Sequence, residues 1–209
     1  MFFNNWKENL DPLIKKYKDK KHPLAYENIY QLLIMVILSA QDSDANINKV
    51  TVSFFKKYPN ITSLSEASVE EINSYISSVR NYQNKAKWIL ETATVLKYDE
   101  NIPTNLNNLI TLKGIGRKSA NVILRESKQK AEGIIVDLHV IRVSPRIGLT
   151  PEYTDGNKIE KLLMQQLPYE IWSQIGMSLS FLGREICRPT NPKCQICPIN
   201  IHCDYYKKI

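Results

Sequence analysis

Glycine is scarce in this chain, with seven in 209 residues. Two of the seven, Gly114 and Gly116, stand two residues apart and mark one tight turn. Apolar and polar residues do not alternate in runs, so the half-buried strand is excluded as a main element. Cysteine is absent from the first 186 residues and then occurs four times in the next seventeen. Disulfides are the weaker reading of this cluster, since nothing suggests secretion. The most apolar run, Leu32 to Leu38, is far too short to span a bilayer. Met1-Phe2-Phe3-Asn4-Asn5-Trp6 has no basic start followed by an apolar core, so it does not read as a signal peptide. What remains is a mostly helical protein, expected to be soluble and cytoplasmic with no membrane partner.

Hydrophobic residues make up 43% of the chain, enough for a substantial core, and the net charge is +7. That balance favours a polyanion partner. The basic knot Lys15-Lys16-Tyr17-Lys18-Asp19-Lys20-Lys21 closes a first helix over about 5–18, and Pro23 breaks the chain. Tyr26 to Ala40 reads as a helix apolar almost all round, hence central and buried. Polarity switches abruptly at Ser39-Ala40-Gln41-Asp42-Ser43, where Asp42 or Ser43 can cap the next helix. Gln41 therefore stands on a corner. Ser68-Val69-Glu70-Glu71 is a capping box. The polar corner Arg80 to Asn84, which includes Asn81, leads into a helix expected from Lys85 to Lys97.

Leu112-Lys113-Gly114-Ile115-Gly116-Arg117-Lys118-Ser119-Ala120 reads as helix, glycine turn, helix. Glycine admits a positive φ and close backbone approach, and the start of the following helix suits an anion such as phosphate. Asp137 lies between apolar runs in Ile134 to Val143. It can cap a helix or act as a carboxylate in a cleft. His139 reads as a packed or capping histidine. The tail spacing, C-x6-C-x2-C-x5-C over Cys187, Cys194, Cys197 and Cys203, is a metal signature. Tetrahedral zinc and a cubane iron–sulfur cluster both take four thiolates. The wide, unequal spacings favour the bulkier cluster. Arg188 and Lys193 flank the loop between the first two cysteines.

Four motifs, in this order along the chain, resemble those of the endonuclease III family of DNA glycosylases. They are Leu38-Ser39-Ala40-Gln41, Leu112 to Lys118, Val136-Asp137-Leu138-His139 and the cysteine spacing. The resemblance implies an all-α fold in two domains. A six-helix barrel, 22–132, carries a helix–hairpin–helix at about 105–128. A discontinuous domain of 1–21 plus 133–209 carries a [4Fe-4S] cluster in a loop over 187–203, and a DNA cleft is expected between the two. It further implies a bifunctional glycosylase and AP lyase, acting as a monomer on double-stranded DNA with damaged bases or abasic sites. Lys118 is the expected nucleophile and Asp137 its carboxylate partner. Gln41, Asn81, Gly114, Ile115, Gly116, Arg117, His139, Arg188 and Lys193 are the expected DNA contacts.

The chemistry accounts for these residue types. An amine that attacks C1′ must be unprotonated. A free lysine is only on the order of 0.04% neutral at pH 7. Arg117 beside Lys118, the helix start and partial desolvation would all favour loss of that proton. The chain departs from the family pattern at Asn81-Tyr82, where an apolar wedge is frequent. Leu138 replaces a frequent threonine, and Leu182 a frequent histidine. These departures leave the Lys/Asp pair intact and bear on the lesion, for which oxidised pyrimidines are the family expectation. Two other readings remain: a monofunctional glycosylase, against which Lys118 argues, and a non-catalytic DNA binder.

Overall fold

A computed structural model describes residues 5–209. Met1 to Asn4, part of the segment read above as no signal peptide, lie outside the described residues. The described residues form α-helices, short 3-10 turns and loops, with no strand among them. None of these helices is long and apolar enough to cross a membrane. The chain divides into two compact units. One is Lys21–Gln129; the other is the chain up to Lys20 together with Lys130–Ile209.

Within Lys21–Gln129 the helices are numbered on from a first helix, α1 (Trp6–Tyr17), of the other unit. They are α2 (Ile29–Leu38), α3 (Asp44–Lys57), α4 (Ile61–Ser65), α5 (Val69–Ile76), α6 (Tyr82–Leu96), α7 (Leu106–Leu109) and α8 (Arg117–Glu126). Helix α2 is central because it is apolar on every side: Tyr30 and each residue from Leu32 to Leu38 are buried. It packs on α3, α6 and α8. Its start differs from the expected Tyr26, because the Asn28 side chain accepts the Gln31 N–H and fixes the cap there. Helix α6 begins at Tyr82, three residues before the expected Lys85. Asn81 takes a left-handed conformation there and turns the chain directly into helix. Helix α4 was not expected from the sequence. It is held by a reciprocal cap between Asn60 and Ser63, a capping signal written with serine where glutamate or glutamine is usual.

The second unit contains α1, α9 (Leu138–Ile147), α10 (Gly156–Gln166) and α11 (Trp172–Glu185). Helix α11 is its axis, with α9 and α1 packed against it. The approach of the Ile135 segment leaves no room for a side chain at Gly176, where an added Cβ would stand 2.5 Å from the Ile135 carbonyl oxygen. Helix α1 is tied to the end of α11 by the Tyr17–Phe181 ring contact at 5.6 Å. The Tyr17 hydroxyl also donates to Glu185 at 3.1 Å, and Lys20 pairs with the same carboxylate. These contacts make one unit of chain ends that the sequence separates by more than a hundred residues.

Candidate active site

The glycine turn between α7 and α8 uses its two glycines differently. Gly114 has φ +80°, and an added Cβ would meet Trp88 Cε3 at 3.0 Å and Ile37 Cγ2 at 3.1 Å. It is required both by backbone conformation and by its seat against α6 and α2. Gly116 has φ −94° and ψ 175°, an extended N-cap that any residue can adopt. A Cβ there would meet nothing within 4 Å. Its bareness opens the turn to an approaching group instead of satisfying the backbone. Ile115 points inward, 5% exposed, and its N–H donates to the Leu112 carbonyl at 3.1 Å. It anchors the turn.

Lys118 stands exposed in the first turn of α8, beside half-buried Arg117. Its charge reaches His22. Burial above all, with help from Lys118 and Arg125, lowers that imidazole to about 4, against the opposing pull of Glu126 and Asp44. The far end of α8 is fixed by Glu126, which accepts from the Tyr26 hydroxyl and pairs with Arg125. The hairpin that carries Lys118 is thus held at both ends.

Gln41 and Asn81 are both exposed and both left-handed, with φ 59° and 58°. The structure joins their corners. Asp42 Oδ2 accepts the Arg80 N–H at 2.8 Å, and its Oδ1 accepts Ser43 N at 2.8 Å and Asn46 Nδ2 at 3.0 Å. Ser43 caps α3.

In the second unit, Asp137 caps α9, and its Oδ1 accepts the N–H groups of His139 (2.9 Å) and Val140 (3.0 Å). The second oxygen is not idle: the hydroxyl of fully buried Ser180 on α11 donates to Oδ2 at 2.6 Å. Ser180 was not singled out from the sequence, because nothing local marks a serine on a helix as the partner of a carboxylate 43 positions away. The His139 ring lies 3.3 Å from Arg142 Nη2, which also donates to the Gly183 carbonyl at 2.9 Å.

None of the four cysteines is in a disulfide. All four line one cavity, shared with Ile147, Leu182, Ile186, Asn200, Tyr205 and Tyr206. Among the described residues no three His, Cys, Asp or Glu side chains converge on a single-ion site. Burial and then the neighbouring sulfurs push the Cys194 thiol up. Burial above all, with the other three sulfurs adding, takes Cys197 to about 11. Four thiolates in such a place require a compensating positive group, so the donor set suits a metal centre, a zinc ion or an iron–sulfur cluster. Arg146 lies beside them and was missed in the sequence. It donates to Cys187 Sγ at 3.6 Å, to the Arg188 carbonyl at 2.7 Å and to the Pro189 carbonyl at 3.1 Å. It thereby braces the exposed loop that presents Arg188 and Lys193.

Residues 34–169 match the HhH-GPD superfamily of base excision DNA repair proteins. The chain is 36% identical over 189 residues to endonuclease III of Synechocystis sp., covering 90% of this chain and 86% of that protein. It is 37% identical over 198 residues to endonuclease III of Rickettsia conorii, covering 92% and 91%. This chain belongs to the endonuclease III family. A solved structure of a trapped endonuclease III–DNA covalent intermediate, an estranged-adenine complex, superposes on this family member with a TM-score of 0.86. It is 35% identical, and the match covers 100% of this chain and 98% of that one. Endonuclease III membership makes it an all-α base excision DNA repair protein and suggests the iron–sulfur cluster for its cysteine cavity.

Proposed function

We propose that Lys118 is the nucleophile and Asp137 the proton-handling carboxylate of a bifunctional DNA glycosylase and AP lyase. The single observation that carries this reading is that a 35% identical endonuclease III has been trapped as a covalent intermediate with DNA. An amine is the group that forms such a link to a sugar, and Lys118 stands exposed at the rim of an open glycine turn. The Lys118 amine, its proton taken up by Asp137, attacks C1′. The C1′–N bond breaks and the base leaves with the bonding electrons and the proton that Asp137 passes on. The ring opens to a Schiff base, a C2′ proton is removed, and the C3′–O bond breaks with loss of the 3′ phosphate. Water then releases the enzyme.

Because Lys118 is exposed in the free protein, the desolvation that favours its neutral form comes with the bound DNA. The damaged base leaves the stack to be reached. Gln41 fills the space it vacates and Asn81 wedges the stack beside it. The open turn at Gly114 and Gly116 and the exposed Arg188 and Lys193 hold phosphates without reading sequence. Cys187, Cys194, Cys197 and Cys203 would hold a [4Fe-4S] cluster, which when bound supplies a structural cross-link for the Arg188–Lys193 loop. The protein acts as a monomer in the cytoplasm, and oxidised pyrimidines are its expected lesions.

Borohydride reduction on a panel of defined lesion and abasic duplexes tests substrate and mechanism together. A covalent adduct is expected with wild type and none with Lys118→Ala. An adduct that survives that substitution removes Lys118 from the role. Base release with no adduct in wild type establishes the monofunctional alternative.

A further inference from the structure

Lys85 is a buried charge for which the reaction above has no use. Its residue is 1% exposed, in the first turns of α6. Its ammonium donates to the carbonyl oxygens of Leu38 at 2.6 Å and Ala40 at 2.7 Å. Leu38 ends α2, so the ammonium meets the negative end of that helix, where carbonyls lack intrahelical partners. Three neighbouring carbonyls are also taken. Met35 accepts from Ser39 N, Val36 from the Ser39 hydroxyl at 3.0 Å, and Ser39 from Asp42 N at 3.0 Å. The helix is thereby closed without the glycine that usually supplies a left-handed residue after a C-terminus.

The left-handed residue here is Gln41, an unusual choice for an amide with a long side chain. Such a residue persists only where its surroundings over-determine it. Lys85 grips the carbonyl immediately before it and Asp42 follows it, reaching across to Arg80 N beside left-handed Asn81. Burial lowers the pKa of Lys85, and the nearby Asp42 carboxylate opposes that shift. The same helix α6 carries Trp88, on which Gly114 rests.

We propose that Lys85 is a positioning residue that acts through Gln41. Its ammonium clasps the Leu38 and Ala40 carbonyls and holds the corner left-handed, so that the Gln41 side chain is presented ready to enter the gap left by a displaced base. Asp42 locks this corner to the Asn81 corner, making one preformed two-pronged platform. The inference rests on the proposed role of Gln41 in DNA.

The test is a double-mutant cycle on the full chain. Affinity is measured for a duplex with a tetrahydrofuran abasic analogue and for the same duplex undamaged, in wild type, Lys85→Met, Gln41→Ala and the double variant. Wild type is expected to prefer the analogue. Each single variant should lose roughly tenfold of that preference, and the double variant no more than the worse single. The fluorescence change of 2-aminopurine opposite the analogue should be lost in Lys85→Met as in Gln41→Ala. Losses that multiply, or a Lys85→Met protein with wild-type preference, overturn the inference. If Lys85→Met does not fold, Asp42→Ala at its half-buried site replaces it, and independent loss there overturns the inference equally. A wild type without preference for the analogue, or a Gln41→Ala protein that retains it, overturns the reading of Gln41 and this inference with it. Loss in Gln41→Ala alone overturns only the role of Lys85.

Discussion

Asp137 combines two duties that a substitution can separate. One oxygen caps α9 and the other accepts from Ser180. Asparagine is as good an N-cap as aspartate, and the Ser180 hydroxyl can rotate to accept from an amide. Asp137→Asn is therefore expected to keep the thermal midpoint of wild type while lowering turnover about 10²–10⁴-fold, the usual worth of a positioned acid–base group. Asp137→Ala should lose the same activity and, in addition, about 0.5–2 kcal/mol of stability with the cap. Melting curves and single-turnover rates on abasic duplex check both. Equal stability losses in the two variants would show that the cap is not what the carboxylate contributes. The capping duty was legible in the sequence from the apolar runs on either side of Asp137. The Ser180 bond was not, because it depends on how α11 packs on α9.

The hairpin of α7 and α8 makes a similar separation between its glycines. Gly114→Ala puts a side chain at φ +80° and against Trp88 and Ile37. It should cost about 1–3 kcal/mol, which lowers the midpoint by roughly 3–10 °C for a chain of this size. Gly116→Ala enters open space at an extended backbone. Its midpoint should stay within about 2 °C of wild type. Its affinity for duplex DNA should fall roughly tenfold, because the methyl group obstructs one backbone–phosphate bond. Reversed ranking, with Gly116→Ala the less stable, would refute the assignment. From the sequence the two glycines read alike. Ramachandran region and packing depth distinguish them, and both follow from the neighbours the turn meets in α2 and α6. Helix limits show the same dependence: the caps at Asn28 and Asn60 and the left-handed Asn81 moved or added elements where hydrophobic spacing alone was ambiguous.

For the molecule as a whole, the cavity lined by the four cysteines is where the proposed cluster would couple its loading to folding. The raised Cys194 and Cys197 thiols must lose their protons when a cluster loads, so loading is expected to weaken progressively as pH falls below about 11. Cys197→Ser should lose the brown colour of an iron–sulfur protein. It should also lower the melting midpoint and weaken duplex binding about tenfold or more as the Arg188–Lys193 loop loosens. A colourless wild type with stoichiometric zinc, or a Cys197→Ser protein with unchanged folding and affinity, would overturn the assignment. What the sequence settled on its own was local. Apolar periodicity made the helices, the glycine pair marked the hairpin, and four cysteines confined to seventeen residues marked a candidate ligand set. Each of these is carried by neighbours along the chain. Only the tertiary structure decided the partners of Lys85, Ser180 and Arg146, which lie 47, 43 and 42 positions away. An ammonium, hydroxyl or guanidinium takes whichever acceptors packing brings to it, and no sequence spacing encodes that meeting.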